Sequence, residues 1–231
     1  HAISTTVHEP IAMGAMASKI LSQPASGRVK HLCLHTTAGN FTQVGLAHFF
    51  LQRKDDRGWS AHGYHISVGP DGTSVQNLTD DKRSNGIGTA GYVYESGAGS
   101  GNETHLTDDP CSNSNTINIA WIGGSSAFDM TREQSATFKK LILTYIKKYP
   151  DITIMGHNQI KHKSCPWFWA PTYLKGIGVK DKNIWEPGFK SGKNTHGKDI
   201  YFGDFYNEYN KGKYITDAEA AAKITGLKSG A

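Results

Sequence analysis

The stretch "VKHLCLHTTAG", residues 29–39, predicts a β-strand that ends in a turn of small residues. Side chains alternate across an extended strand, so His31, Cys33 and His35 lie on one face of the predicted strand Val29–His35. His35 is the last residue before the turn. The strand therefore places a histidine at one end of a sheet.

Three further stretches predict strands. In "AHGYHISVGPDGTSVQNL", residues 61–78, two alternating runs flank Pro70, Asp71 and Gly72. Proline presets φ and glycine tolerates positive φ, so this segment predicts a hairpin. "TINIAWIGG", residues 116–124, is an apolar run typical of a buried strand. "DITIMGH", residues 151–157, predicts a strand that delivers His157 at its end.

Two stretches between these strands predict helices. "FTQVGLAHFFLQR", residues 41–53, carries apolar residues close to helical spacing. In "TREQSATFKKLILTYIKKYP", residues 131–150, Thr131 and Gln134 predict a capping box and Pro150 ends the helix. The predicted inner face of this helix consists of Phe138, Leu141, Ile142 and Tyr145. Strands alternate with helices, which indicates an α/β domain with a mixed central β-sheet flanked by helices.

The amino-acid composition of the sequence changes at both ends and in the middle. Residues 1–29 are weakly patterned and predict a peripheral arm, and the α/β domain spans residues 30–178. Residues 179–231 are rich in Lys, Gly, Asn and Tyr and predict a C-terminal extension, with a short helix near residues 216–227. Residues 80–115 are rich in Gly, Ser, Asn and Asp, which predicts a functional or mobile loop.

Composition narrows the classes of function. A net charge of +5 and a pI near 9.0 favour binding to an anionic polymer, but the lysines are scattered and form no stripe typical of nucleic-acid binding. No apolar run reaches the roughly 20 residues that span a bilayer. Three cysteines do not make a disulfide framework, although a bridge between Cys33 and Cys111 is compatible with the sequence.

The stretch "GHNQIKHKSCPWF", residues 156–168, brings the second strand-end histidine close to a cysteine. If the two strands are neighbours, His35, His157 and Cys165 converge at one end of the sheet. Two imidazoles and a thiolate with an open fourth position make a catalytic zinc site. The alternatives are an inert core thiol or a cysteine nucleophile with His157 as its base. The nucleophile is disfavoured because Pro166 follows and no helix begins at the cysteine.

Four segments, "LHTTAG", "GYHISVGPDGT", "INIAWIGG" and "GHNQI" with "KSCPWF", resemble in order those of the zinc-dependent N-acetylmuramoyl-L-alanine amidases. That family includes phage endolysins and the peptidoglycan recognition proteins. The resemblance covers residues 30–176 and implies the family's mixed, helix-flanked sheet. It implies that His35, His157 and Cys165 are the zinc ligands and that Tyr64 and Lys163 assist the reaction.

The resemblance also implies a function. We expect one zinc ion per chain, a monomer, and hydrolysis of the bond between N-acetylmuramic acid and L-alanine in peptidoglycan, in the periplasm or outside the cell. We expect no nucleic-acid partner. The sequence departs from the family at Thr89, where many phage members have a histidine, and at Ala120, where other branches have a glutamate. The alternative is a non-catalytic muropeptide-binding protein, which Cys165 disfavours because such members lose the cysteine.

Overall fold

The computed structural model describes residues 8–51, 61–87, 94–95, 103–104, 111–125, 129–160 and 165–185, with backbone alone at 94–95 and 103–104. The strands are β1 (His31–Thr36), β2 (Ile66–Val68), β3 (Ser74–Gln76), β4 (Tyr94–Glu95), β5 (Glu103–Thr104), β6 (Thr116–Trp121) and β7 (Thr153–Gly156). The α-helices are α1 (Met13–Ser22), α2 (Gln43–Leu51), α3 (Arg132–Lys148) and α4 (Ala170–Gly176), and short 3₁₀ turns cover His157–Gln159 and Asp181–Asn183.

Five strands form the central sheet, in the order β3-β2-β6-β1-β7. All neighbouring pairs are parallel except the β2–β3 hairpin. β1 lies between β6 and β7, with Leu34 opposite Ile119 on one side and Gly156 on the other. The predicted mixed sheet with flanking helices is confirmed.

Every residue of β1 and β6 is buried, as expected for central strands covered on both faces. One face contributes Leu32, Leu34, Ile117, Ile119 and Trp121 to the main core, which α1 and α3 help to cover. The opposite face carries Cys33 and His35 on β1 and Asn118 and Ala120 on β6. Strand alternation thus separates an apolar face from a face that holds polar side chains.

Helix α3 follows its sequence signals closely. Thr131 Oγ1 accepts a hydrogen bond from the Gln134 backbone N–H, and Gln134 Oε1 accepts one from the Thr131 N–H, so the predicted capping box is present. All four residues of the predicted inner face are fully buried. The hairpin turn docks on the start of this helix, because Thr131 and Thr137 donate hydrogen bonds to Pro70 O and Gly72 O.

The expectation of a peripheral N-terminal segment is wrong for residues 11–22. Ile11 pairs with Ser74 of β3, and α1 packs against α3 with Met16 and Ile20 fully buried in the main core. This helix buries only Met16, Ala17 and Ile20. Its apolar residues recur at helical spacing, but the helix is preceded by Ala12, which has no capping side chain, and its first turn contains no acidic residue, so the sequence gives no signal for where the helix starts.

Two other predicted irregular regions contain ordered structure. Within residues 80–115, β4 and β5 form an antiparallel pair, and Asn113 Oδ1 accepts a hydrogen bond from Ile87 N–H. At the start of the predicted C-terminal extension, Ile184 forms a parallel bridge with Ile154, and Trp185 N–H donates to Ile154 O. Residues 186–231, which include the predicted helix near 216–227, lie outside the described residues.

No helix in the described part of the chain combines the length and the apolar character needed to cross a bilayer.

Candidate metal centre

Adjacent parallel strands bring the two strand-end histidines together. β1 and β7 run side by side, so His35 and His157 emerge at the same end of the sheet. Their ring centroids lie 4.6 Å apart in an edge-on arrangement, and both side chains are buried. The sequence predicted that His35 and His157 converge if their strands are neighbours, and the two histidines do converge.

Cys165 completes the cluster from the loop before α4. Its Sγ lies 3.6 Å from His35 Nδ1 and accepts a hydrogen bond of 3.2 Å from the Thr36 backbone N–H. The ligand atoms of His35, His157 and Cys165 all lie within 4.8 Å of one another. A hydrogen bond to sulfur favours the thiolate, which is the form that binds a metal.

This donor set fits zinc in chemistry and in spacing. Zinc binds thiolate sulfur at about 2.3 Å and imidazole nitrogen at about 2.0–2.1 Å, so two such ligands on a tetrahedral ion lie about 3.5 Å apart. The 3.6 Å between Cys165 Sγ and His35 Nδ1 agrees with that separation. Three protein ligands would leave a fourth position for water or substrate.

Asn118 contacts the other nitrogen of the His35 ring. Its Oδ1 lies 2.7 Å from His35 Nε2, and its Nδ2 donates a hydrogen bond of 2.7 Å to Ser84 Oγ. The apolar pattern of "TINIAWIGG" predicts a buried strand but does not single out this residue. The available signal was an amide side chain inside a buried strand, where a polar group needs a hydrogen-bond partner.

Tyr64 lies against the cluster, as the family resemblance implied. Its ring centroid is 5.2 Å from that of His35, and its hydroxyl donates a hydrogen bond of 3.4 Å to Thr36 O. Burial raises the pKa of Tyr64 far above its ordinary value, and the neighbouring sulfurs of Cys165 and Cys33 add to the rise. The phenol therefore keeps its proton and acts as a hydrogen-bond donor.

The histidines flanking Tyr64 are buried and neutral. His62 Nδ1 accepts a hydrogen bond from Tyr64 N–H, and burial lowers the pKa of His62 to about 3. His65 Nδ1 accepts from Asn118 N–H while its Nε2 is 2.7 Å from Lys82 O, and burial lowers the pKa of His65 to about 4. These two rings support the backbone around Tyr64 and Asn118.

A family model described as N-acetylmuramoyl-L-alanine amidase matches residues 25–168. The chain belongs to this amidase family. Membership supports a protein that cleaves or binds peptidoglycan. A search of curated protein sequences finds no match.

Solved structures with related folds include bumblebee PGRP-SA, which is 16% identical, with a TM-score of 0.50 over 70% of this chain and 87% of that one. The N-acetylmuramoyl-L-alanine amidase LysC from Clostridium intestinale URNW is 21% identical, with a TM-score of 0.44 over 69% of this chain and 93% of that one. The Ph2119 endolysin from Thermus scotoductus MAT2119 bacteriophage Ph2119 is 19% identical, with a TM-score of 0.43 over 69% and 91%. At such identity, the likeness to PGRP-SA shows the fold alone.

Within this amidase-family domain, His31 and Cys33 share a face of β1 with His35 but lie outside the ligand cluster. His31 Nδ1 lies 2.6 Å from Thr153 Oγ1 at the opposite end of the sheet, and Cys33 packs in an apolar cluster with Cys111 and Met155. Cys33 and Cys111 are not joined, so the disulfide that the sequence allowed is not formed.

Three other positions singled out in the sequence are Ala120, Lys163 and Thr89. Ala120 is fully buried on β6, directly opposite His35 in the register. Lys163 and Thr89 lie outside the described residues. α4 begins at Ala170, five residues beyond Cys165, so in the described part of the chain no helix begins at this thiol to activate it as a nucleophile.

Proposed function

We propose that this protein is a zinc-dependent N-acetylmuramoyl-L-alanine amidase that acts on the bacterial cell wall, in the periplasm or outside the cell. One zinc ion per chain would be held by His35, His157 and Cys165. The observation that carries the proposal is the convergence of these three buried side chains at one end of the sheet, with their ligand atoms within 4.8 Å. Family membership supports peptidoglycan as the substrate class.

In the proposed reaction, water adds to the lactyl carbonyl carbon of N-acetylmuramic acid. The bond from this carbon to the alanine nitrogen breaks, and that nitrogen leaves as an amine after taking a proton. When bound, a zinc ion in such a site acidifies water and polarises a carbonyl oxygen. The chain's own contribution begins with Thr36, whose N–H stabilises the Cys165 thiolate.

Tyr64 and Lys163 are the residues we assign to transition-state stabilisation. The protonated Tyr64 hydroxyl, held beside His35, can donate a hydrogen bond to the oxygen that gains negative charge. Lys163 is assigned from the family resemblance and would add positive charge near the same oxygen. Neither residue is needed as a metal ligand.

The second candidate is a muropeptide-binding protein of the same fold that does not cleave its ligand. The presence of Cys165 in the cluster favours hydrolysis, because a sulfur ligand completes the donor set. Binding without cleavage would leave the muropeptide intact after prolonged incubation, so the products distinguish the two candidates.

The direct test is mass spectrometry of the products from purified sacculi and from soluble muropeptides. We expect stem peptides that begin with a free L-alanine amino group, and glycan that carries unsubstituted lactyl carboxylates. The His157→Ala protein serves as the inactive control. Cleavage within the peptide or at a glycosidic bond would refute the proposal, and retention on sacculi without any product would support the binding protein.

A further inference from the structure

Asn118 occupies an unusual place for an amide side chain. It is fully buried in β6, one strand away from His35, on the face of the sheet that carries the metal centre. Its neighbours Ile117 and Ile119 point into the main apolar core. A buried amide costs free energy unless its polar atoms are hydrogen-bonded, so the contacts of Asn118 show what holds it there.

We propose that Asn118 is a positioning residue that sets the proton of His35 so that its other nitrogen can bind the metal. The proposal rests on the zinc site proposed above. The contact that carries it is the 2.7 Å hydrogen bond between Asn118 Oδ1 and His35 Nε2. A carbonyl oxygen only accepts, so with Oδ1 facing the ring, Nε2 of His35 carries the proton.

This proton assignment leaves Nδ1 of His35 with a lone pair. Nδ1 is the nitrogen that faces Cys165 Sγ at 3.6 Å, inside the ligand cluster. A neutral imidazole has one donor and one acceptor nitrogen, and only the acceptor nitrogen can bind a metal. The Asn118 amide therefore selects the tautomer that metal binding requires.

The Asn118 side chain is held at both ends. While Oδ1 contacts His35, Nδ2 donates a hydrogen bond of 2.7 Å to Ser84 Oγ, and Ser84 is itself fully buried. The backbone is clamped as well, because Asn118 N–H donates to His65 Nδ1 and Asn118 O accepts from His65 N–H. The Asn118 side chain and backbone therefore need to move little when a metal binds to His35.

Gly86 provides the space that this arrangement needs. A Cβ at Gly86 would lie 2.6 Å from Asn118 Cγ and 2.5 Å from Gly63 O, which is too close for any larger residue. The loop after β3 therefore approaches β6 closely enough for Ser84 to reach the amide. The loop, the strand and the histidine ligand form one continuous set of contacts.

Zinc affinity of the apo-protein, measured by competition with a chelator, tests the role. Asn118→Leu keeps a side chain of similar size but removes the acceptor, and we expect its Kd for zinc to rise by about 10- to 100-fold. Asn118→Asp restores an acceptor for the His35 N–H, so its Kd should return to the wild-type value or below. If Asn118→Leu does not fold, Asn118→Ala removes the same acceptor with less bulk.

Asn183→Leu is the matched control for lost stability. Asn183 is also a buried asparagine, and its Nδ2 donates to Pro150 O and Ile152 O at the opposite end of β7 from His157. We expect Asn183→Leu to lower Tm while leaving the zinc Kd unchanged.

Three results would overturn the role of Asn118. These are an unchanged Kd in Asn118→Leu, an equal rise in Kd in Asn183→Leu, and an Asn118→Asp protein as weak as Asn118→Leu. A wild-type protein that binds no zinc would instead refute the metal site on which the role depends, so the two failures are distinguishable.

Discussion

Two polar clusters lie at opposite ends of the parallel strands, and they differ in the kinds of side chain that form them. At the amino ends of β1 and β7, the Asp80 cluster consists of Arg28, Asp80, Lys148 and Tyr149. Asp80 Oδ2 accepts hydrogen bonds from Lys148 Nζ at 2.7 Å and from Tyr149 OH at 2.6 Å. At the carboxyl ends, His35, His157 and Cys165 form the candidate metal centre.

In the Asp80 cluster, the Asp80 carboxylate forms an ion pair with the Lys148 ammonium group within the chain. Lys148 also donates to Ile20 O at the end of α1, and Arg28 donates to Asp80 O in the loop after β3. These contacts tie helices and loops to one another. The candidate metal centre instead brings together two imidazole nitrogens and a sulfur, each with a lone pair that one cation could bind. In this protein, paired opposite charges therefore hold elements together, whereas converging lone pairs form a candidate binding site.

The largest effect on zinc binding and turnover is expected from the loss of a metal ligand. Cys165→Ala should lose zinc and reduce turnover by roughly a thousandfold or more, because the metal supplies several kcal/mol of transition-state stabilisation. Elemental analysis and the rate of stem-peptide release are the measurements. Cys33→Ala is the matched control, since Cys33 is an equally buried thiol outside the ligand cluster. Stoichiometric zinc in Cys165→Ala would disprove the ligand assignment.

At the other end of the sheet, Lys148→Met should affect stability instead of chemistry. The change leaves Asp80 charged and buried without its ion-pair partner, which typically costs about 3–5 kcal/mol. Urea denaturation should show this loss, while zinc affinity and the rate of cleavage below the unfolding transition should match the wild type. A lowered zinc affinity in the folded Lys148→Met protein would show that the two clusters are coupled.

Tyr64→Phe should separate reaction chemistry from metal binding at the metal centre. Loss of a group that stabilises the developing negative charge costs about 10²–10³ in rate. Zinc content should stay at the wild-type value, and Lys163→Ala should behave in the same way. Tyr173→Phe is the control, because Tyr173 is also buried but packs against Phe168 in the main core. Wild-type rates in both Tyr64→Phe and Lys163→Ala would refute the assigned roles.

A smaller effect should appear in the pH dependence of stability. The pKa of His62 falls from 6.5 to about 3 on folding, so between these values the unfolded state binds a proton that the native state does not. The free energy of unfolding then decreases on acidification below pH 6.5, by up to about 1.4 kcal/mol per pH unit. The pKa of His65 falls in the same direction, to about 4.

Urea titrations of the wild type and His62→Gln between pH 4 and 7.5 measure this effect. The free energy of unfolding of the variant should depend less steeply on pH, by the equivalent of about one bound proton. Identical slopes in the two proteins would show that His62 does not contribute.

The smallest effect on bond cleavage is expected from removal of the C-terminal extension beyond Trp185. All proposed catalytic residues precede it, so a chain ending at Trp185 should cleave soluble muropeptides at the wild-type rate. The extension interleaves lysines with aromatic residues, which we expect to hold intact cell wall, so sacculi should be cleaved more slowly. A truncation at Gly178 would also remove Val179, Ile184 and Trp185, which are buried. Equal rates on sacculi would remove any role for the extension in binding.

The success of the sequence predictions followed the strength of the local signal. Helix α3 combines a capping box with four apolar residues on one face, and the β2–β3 hairpin has a turn of defined chemistry. Helix α1 has no capping side chain and no acidic residue in its first turn, so the sequence carries no start signal for it. Asn118 was missed because its role depends on His35 of the neighbouring strand, 83 residues away in the chain.

The sequence by itself determined the type of most elements and predicted the three candidate ligand residues, because strand ends, caps and turns depend on neighbours in the chain. Tertiary structure decided which side chains meet. His35 and Cys165 are 130 residues apart, and only the parallel pairing of β1 with β7 brings them within 3.6 Å. The same packing decided which nitrogen of His35 faces the sulfur, since the Asn118 oxygen that contacts the other nitrogen belongs to β6. Proximity across a sheet depends on strand order, which no local pattern encodes.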